Sequence, residues 1–208
     1  MTLPYLNPEH NHYEGIPYEG IPLHCGVDAS YHPCPTPVTS RMRSFRDGRG
    51  EHVDRWPMRV LSSTTAIIVH GSHWDEGEPW TVLVHQRSDN GWWGFPGGAI
   101  EVGESLKECL VREAQEETGL LINPVALTSI DSDPTLGALC QYPDGNVIQY
   151  VNHTFLCTIV SGIVRPSRES LQMRWVSTDT LPEPFLISHM WRLKNAFEWL
   201  DGQCVIVR

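Results

Sequence analysis

Hydrophobic periodicity is absent from the first quarter of the chain and begins near residue 59. Beyond that point Leu61 to His70 and Trp80 to Gln86 are rich in β-branched residues and separated by a Gly- and Asp-containing loop, a pattern that predicts two strands. Val125 to Asp131, Val147 to Val160 and the short Leu171 to Val176 predict three more. The last segment has a different period: Leu186, Met190, Leu193, Phe197 and Leu200 recur at spacings of four and three, which places one apolar stripe on a helix. Strands and helices mixed in this order predict an α/β fold with a mixed β-sheet sandwiched by helices.

A second helix is marked at both ends. Ser105 followed three residues later by Glu108 fits a capping box, and Gly119 followed by Leu120 fits a left-handed C-terminal cap with its apolar follower, so the helix runs about 13 residues between them. Its inward stripe opens with Leu106, Cys109 and Leu110, and the same spacing then delivers Glu113, Glu116 and Glu117. Those three carboxylates stand at i, i+3 and i+4, so their side chains converge. Like charges repel there, and desolvating each costs several kcal/mol unless something compensates. On spacing alone a solvated helix face is the commoner explanation. A hard divalent cation is the alternative, and oxygen-only donors without a nearby His or Cys select Mg²⁺, Mn²⁺ or Ca²⁺ over zinc. The Gly- and Trp-rich loop from Ser88 to Ile100 moves the balance toward the cation. Its segment Gly94-Phe95-Pro96-Gly97-Gly98 can bring bare backbone against an anionic ligand or a metal.

Composition narrows the field without changing it. The chain has 208 residues, 40% of them hydrophobic and 19% charged, enough for one substantial core or one domain plus an extension. No apolar run approaches the roughly 20 residues of a membrane-spanning helix. The N-terminus carries neither a basic flank nor an apolar stretch, so a cytoplasmic protein is expected. Six cysteines are scattered with no CxxC pair, which suits small apolar residues in a reducing compartment. A formal net charge of −10 argues against a nucleic-acid polymer as partner and leaves room for a cation. Residues 1–58 are set apart as an N-terminal extension: a tandem Tyr-Glu-Gly-Ile-Pro repeat from Tyr13 and Tyr18, then six arginines between Arg41 and Arg59 interleaved with Asp47, Glu51 and Asp54. That basic stretch is either a solvated, partly self-paired segment or a phosphate-binding patch.

Residues 97–120, GGAIEVGESLKECLVREAQEETGL, resemble the signature of the Nudix hydrolases. The matching positions are Gly98, Glu104, Arg112, Glu113, Ala114, Glu116, Glu117, Gly119 and Leu120, with no insertion. The resemblance implies a Nudix-type α/β/α sandwich over roughly residues 59–208, with the box forming a loop–helix–loop. It implies magnesium, with manganese as a substitute, held by Glu113, Glu116 and Glu117 together with the Gly97 carbonyl. Gly98, Glu104, Arg112 and Gly119 become structural residues of the box, with Arg112 and Glu104 pairing to hold the loop on the helix. Glu113, Glu116 and Glu169 become the catalytic carboxylates. Glu169, six residues before Trp175, matches the position of a further acidic residue that the family often adds, with Asp133 and Asp144 as rivals. Some relatives carry an N-terminal zinc ribbon, but the spacing of His24, Cys25, His32 and Cys34 is not that pattern.

The reaction such a site implies is hydrolysis of a phosphoanhydride bond, with a carboxylate, Glu116 or Glu169, taking the proton from the attacking water. Trp92, Trp93 and Tyr142, with Asp144 in the YPDGN stretch, are the expected substrate contacts, although aromatics beside a core helix are more often core. The sequences QRSDNGWWGFPGG and YPDGN are similar to those of ADP-ribose pyrophosphatase-like members. ADP-ribose or a nucleoside diphosphate sugar is therefore the first expectation and a nucleoside triphosphate, as for MutT-like members, the second. A ligand-sensing module would have lost box glutamates and an isomerase would have a degraded box with a dedicated cysteine; neither fits. An RNA-end pyrophosphohydrolase is disfavoured by the acidic balance. A homodimer is the expected assembly if one forms.

Overall fold

The computed structural model describes residues 45–70, 80–142, 144–202 and 204–208. The tandem repeat, the His/Cys cluster at 24–34, Arg41 and Arg43 lie outside them. In chain order the elements are β1 (Arg59–Ile68), β2 (Thr81–Arg87), β3 (Trp93–Gly94), α1 (Leu106–Thr118), β4 (Leu120–Asp131), β5 (Leu139–Gln141), β6 (Val147–Gly162), β7 (Ser170–Ser177), α2 (Ile187–Gly202) and β8 (Ile206–Val207). None of the described helices is long and apolar enough to cross a membrane.

Two sheets result. The larger has the order β1-β6-β4-β8, with β5 adding to β6. It is mixed: β1 runs parallel to β6, β4 antiparallel to β6, and β8 parallel to β4. The smaller sheet is antiparallel, in the order β3-β2-β7. The period of two along the central strands sorts their side chains onto two faces. Ile67, Val69, Val82, Val84 and Leu156 join Trp93, Phe95, Leu193 and Ala196 on the α2 side. Ala66, Ile68, Leu83 and Cys157 join Leu110, Ala114, Leu120 and Ile122 on the α1 side. Each buried Val, Leu, Ile or Phe contributes roughly 1.5–3 kcal/mol relative to exposure. The helices therefore cover opposite faces of the strands, which is the expected sandwich.

The caps of α1 fall where the sequence signals put them. Ser105 is the N-cap and reciprocates with Glu108: the Ser105 N–H donates to Glu108 Oε2 at 2.8 Å, and the Glu108 N–H donates to Ser105 Oγ at 3.3 Å. Gly119 closes the helix in the left-handed conformation, φ 77°, and turns the chain at once into β4. That immediate turn is why β4 begins at Leu120, five residues before the alternating stretch at Val125. Its first half is irregular, with ladder shifts flanking Pro124, which has no N–H for a neighbour. In α2 the expected stripe is only partly inward: Leu193 is buried, whereas Met190 is 50% exposed.

Residues 45–58 pack onto the larger sheet. Phe45 and Val53 form a third cluster with Leu139 and Val147, and the Met58 N–H donates to the Val147 carbonyl at 2.8 Å. The hairpin around Gly48 is hydrogen-bonded on both sides: the Gly48 N–H to the Leu139 carbonyl at 3.1 Å, and the Ser188 N–H to the Gly48 carbonyl at 3.2 Å.

Candidate active site

The glycine loop is stitched to β1. The Ala66 N–H donates to the Pro96 carbonyl, the Thr64 N–H to the Gly98 carbonyl and the Ile100 N–H to the Ser62 carbonyl, at 2.8, 2.9 and 3.1 Å. Two positions in this loop admit no side chain. A Cβ on Gly97, at φ 149°, would strike the Thr64 carbonyl oxygen and lie 2.9 Å from Thr65 Cα. One on Gly98 would occupy the space of the Glu113 carboxylate. Bare backbone thus lets α1 bring its acidic face against the loop, and the Gly97 N–H donates to Glu117 Oε2 at 2.8 Å.

Burial grades the three carboxylates of α1. Glu117 is 4% exposed, Glu113 intermediate and Glu116 exposed. Burial pushes the Glu117 carboxyl up to about 8; the Gly97 N–H and Arg87 oppose the rise, while Glu113 and Glu169 add to it. Burial also raises Glu113, against the pull of Arg112 and with the push of Glu116 and Glu169. Arg112 is the counterweight. Its Nε and Nη2 fork onto Glu104 at 2.8 and 3.0 Å, its Nη1 reaches Glu113 at 2.9 Å and Glu116 at 3.2 Å, and Nη2 also meets the Ala99 carbonyl at 3.3 Å. Hydrogen bonds from Arg112, with one from the Glu101 N–H, draw the Glu104 carboxyl down to about 2. One guanidinium thereby ties the loop to the helix and holds two of the acidic residues.

A wall from the smaller sheet completes the site. Glu169 precedes β7, and its carbonyl accepts from the Ser88 N–H at 2.8 Å. With His85, Arg87, Ser88 and Asp89 it lines a cavity of about 110 Å³. Glu169 and Arg87 are both within electrostatic reach of Glu117. Arg87 is oriented by a two-point contact with Asp89, Nε to Oδ1 at 3.0 Å and Nη2 to Oδ2 at 2.7 Å. Behind them His85 is buried and lies 2.9 Å from Ser170 Oγ; burial brings its imidazole down to about 4, so it stays neutral and braces the start of β7, next to Glu169. Sequence reasoning missed Arg87, Asp89 and His85. The available signal was an Arg at the end of a strand pattern with an Asp two residues on, just before the glycine loop.

The other expected residues are dispersed. Trp93 is 3% exposed in the core beside Phe95 and Leu193, with the Arg174 guanidinium 5.0 Å over its ring, so it offers no free face for a base to stack on. Trp92 is half-buried and uses its carbonyl to accept from the Arg87 N–H at 2.9 Å. Tyr142 is exposed on the β5–β6 connection, its hydroxyl 2.8 Å from that of Tyr150. Asp144 accepts from the Asn146 N–H and Asp133 from the Thr135 N–H, so each holds its own turn. Of the three rival acids, Glu169 is the one whose charge raises Glu113 and Glu117 among the main causes of their shifts.

The donor set is all oxygen and includes a carboxylate destabilised chiefly by burial, with Glu113 and Glu169 adding to it, which fits a hard divalent cation. Among the described residues no three acidic, His or Cys side chains already form a closed cluster. Arg112 and the Gly97 N–H occupy the carboxylates instead. A cation would be held by Glu113, Glu116 and Glu117, with Arg112 giving up its hold on the first two.

A family model described as the NUDIX domain matches residues 63–200. A MutT-like protein of Streptomyces ambofaciens is 31% identical over 121 residues, covering 58% of this chain and 69% of the relative. An ADP-ribose pyrophosphatase of Methanocaldococcus jannaschii is 28% identical over 124 residues, covering 58% of this chain and 68% of that protein. Among solved structures, a UDP-X diphosphatase superposes with a TM-score of 0.55 at 21% identity, over 75% of this chain and 69% of the other.

Proposed function

The chain belongs to the NUDIX family and is a Nudix hydrolase, and from that premise we propose that it hydrolyses the phosphoanhydride bond of a nucleoside diphosphate linked to a second moiety, ADP-ribose or a nucleoside diphosphate sugar, with magnesium or manganese. The observation that carries this reading is the buried Glu117, tethered by the Gly97 N–H among Glu113, Glu116 and Glu169. A cation bound there would offset the charge of two linked phosphates and lower the pKa of a bound water. The chain's own residues do the rest. Glu116, exposed on α1, or Glu169, which lines the cavity with Arg87, accepts the proton of the attacking water, a role worth about 10²–10⁴ in rate. Arg87, fixed by Asp89, faces the same cavity and suits an anionic group of the substrate. Arg112 keeps the loop and the helix in register while the carboxylates exchange partners.

The names of two relatives, an ADP-ribose pyrophosphatase and a UDP-X diphosphatase, support the linked-diphosphate class. A MutT-like relative favours a nucleoside triphosphate as the second reading. The test is a panel of ADP-ribose, UDP-glucose and deoxynucleoside triphosphates with Mg²⁺ and Mn²⁺, products identified by mass. Glu116→Gln should lower turnover on the order of 10³-fold with the far-UV spectrum unchanged. Near-normal turnover in that variant overturns the assignment of Glu116. Cleavage of triphosphates alone moves the substrate to the second class.

A further inference from the structure

Phe95 is the residue at which the chain leaves the smaller sheet for the larger. Gly94 before it ends β3, opposite His85 on β2, and Pro96 after it gives its carbonyl to the Ala66 N–H on β1. Phe95 itself belongs to neither ladder and is only 2% exposed, so its amide needs a partner from outside the sheets. His189, in the first turn of α2, supplies one: its Nδ1 accepts from the Phe95 N–H at 2.8 Å.

Two further features fit this contact. The imidazole lies parallel to the Phe95 ring, with centroids 5.9 Å and planes 5° apart. A Cβ on Gly94 would stand 2.8 Å from that same Nδ1 and 3.0 Å from Cε1, so the missing side chain at Gly94 is what lets the imidazole come so close. Backbone bonds tie the start of α2 down at the same place, the Trp93 N–H donating to the Pro184 carbonyl and the Leu186 N–H to the Trp93 carbonyl, at 2.8 and 2.9 Å. Burial, with the charges of Arg192 and Arg87, holds the imidazole well below its ordinary range, so it is neutral, with its proton on Nε2 and Nδ1 left to accept. Two residues beyond Phe95, the Gly97 N–H meets Glu117.

Resting on the proposed metal-dependent reaction, we infer that His189 is a positioning residue of the cation site: by holding the Phe95 amide it sets where Gly97 meets the acidic face of α1. It thereby couples α2, on one face of the strands, to the carboxylates on the other. The alternative is that the bonds to β1 hold the loop unaided and His189 only fills space.

Two substitutions separate these, because packing and hydrogen bonding rank them in opposite orders. His189→Asn loses the ring but can place Oδ1 where Nδ1 stands. His189→Leu loses both ring and acceptor and keeps apolar bulk. The probe is Mn²⁺ on the full chain without substrate, its free fraction read by electron paramagnetic resonance. A positioning role raises the Mn²⁺ dissociation constant about tenfold in His189→Leu and leaves His189→Asn within about threefold of wild type, whichever variant resists denaturant better. With ADP-ribose at saturating Mn²⁺, kcat should fall in His189→Leu more than KM rises, and His189→Asn should recover it. Space filling predicts the reverse order, with His189→Leu nearer wild type. That order, or equal Mn²⁺ affinity in the two variants, overturns the inference and leaves the hydrolase reading intact. Should His189→Leu not fold, His189→Gln, whose acceptor sits one bond farther out, takes its place in the same comparison. If wild type itself holds no Mn²⁺, the metal-dependent reading fails first, and this inference falls with it.

Discussion

The two helices bury charge in opposite ways. On α2, Arg192 is buried with Nη1 donating to Thr65 Oγ1 at 3.2 Å, and its guanidinium, pulled down to about 10 by burial, is supported by Asp131 and stays charged at neutral pH. Asn195, one turn on, donates to that same Asp131 at 2.9 Å. Opposite signs meet there, although Arg192 Nε and Asn195 Oδ1 have no hydrogen-bond partner among the described residues. On α1, Glu117 is buried among Glu113 and Glu169, which share its sign, and only the Gly97 N–H and Arg87 oppose them. Such a group is destabilised first by burial and then by like-charged neighbours, so the fold alone gives it no reason to be there. A buried charge that meets the opposite sign reads as structure; one set among its own sign reads as a place for a ligand.

Replacing Glu117 breaks this contrast most sharply, because stability and activity should move in opposite directions. Glu117→Gln is expected to lower turnover on the order of 10³-fold. The same change removes a pH-dependent weakness. The carboxyl lies near 8 in the folded protein against an ordinary value of 4.5, so its contribution is fully present below about 4.5 and is lost as the pH rises through 8. Metal-free wild type should therefore unfold more easily at pH 8 than at pH 5, with a slope from this group of at most about 1.4 kcal/mol per pH unit. In Glu117→Gln that part of the slope disappears, and added Mg²⁺ should flatten it in wild type. Thermal unfolding across that range with and without EDTA reads both effects; equal slopes in the two proteins would remove Glu117 from the argument.

Leu193 on α2 should behave in the reverse sense. It is 5% exposed and packs in the cluster that contains Trp93, Phe95 and Ala196. Leu193→Ala should cost about 2–5 kcal/mol in denaturant unfolding, the usual range for a cavity left in a packed core. The folded fraction should keep its kcat, since the side chain touches none of the carboxylates. A tenfold fall in kcat at full folding would mean that the α2 core and the site are mechanically linked.

How far the sequence anticipated all this depends on where each signal is stored. Local signals were legible: Ser105 and Gly119 bracket α1 to the residue, because caps are chemistry between near neighbours. The acidic face of α1 was legible for the same reason. Signals stored in partner strands were not. β3, β5 and β8, of two or three residues each, exist because β2, β6 and β4 pair with them, and their own residues have no period to display. From sequence Trp93 is a candidate substrate contact, with core as the commoner alternative, and the bridge between Trp93 and Phe185 that buries it spans some ninety residues. Arg87 and Asp89 form a local pair, but their importance comes from Glu169, which only the β2–β7 ladder brings alongside. The hairpin at 45–53 was masked by composition: its arginines suggested a solvated stretch, while Phe45 and Val53, too few to make a period, anchor it.

The finest contrast lies within α2. The apolar stripe of Leu186, Met190, Leu193, Phe197 and Leu200 suggests that Met190 and Leu193 are equivalent, but the buried face is centred on Arg192, Asn195 and Ala196. That face is turned from the stripe by about one residue step, ~100° around the helix. The cause is polar: Arg192 must reach Thr65 on β1 and Asn195 must reach Asp131 on β4, and satisfying both rotates Met190 outward. Met190→Ala should therefore change unfolding free energy by less than about 0.5 kcal/mol, the range for surface substitutions, against the several kcal/mol expected at Leu193. A loss at Met190 as large as that at Leu193 would mean that the stripe, and not the polar anchors, sets the rotation of α2. It would also reopen whether Arg192 is held in the interior as firmly as its bond to Thr65 implies.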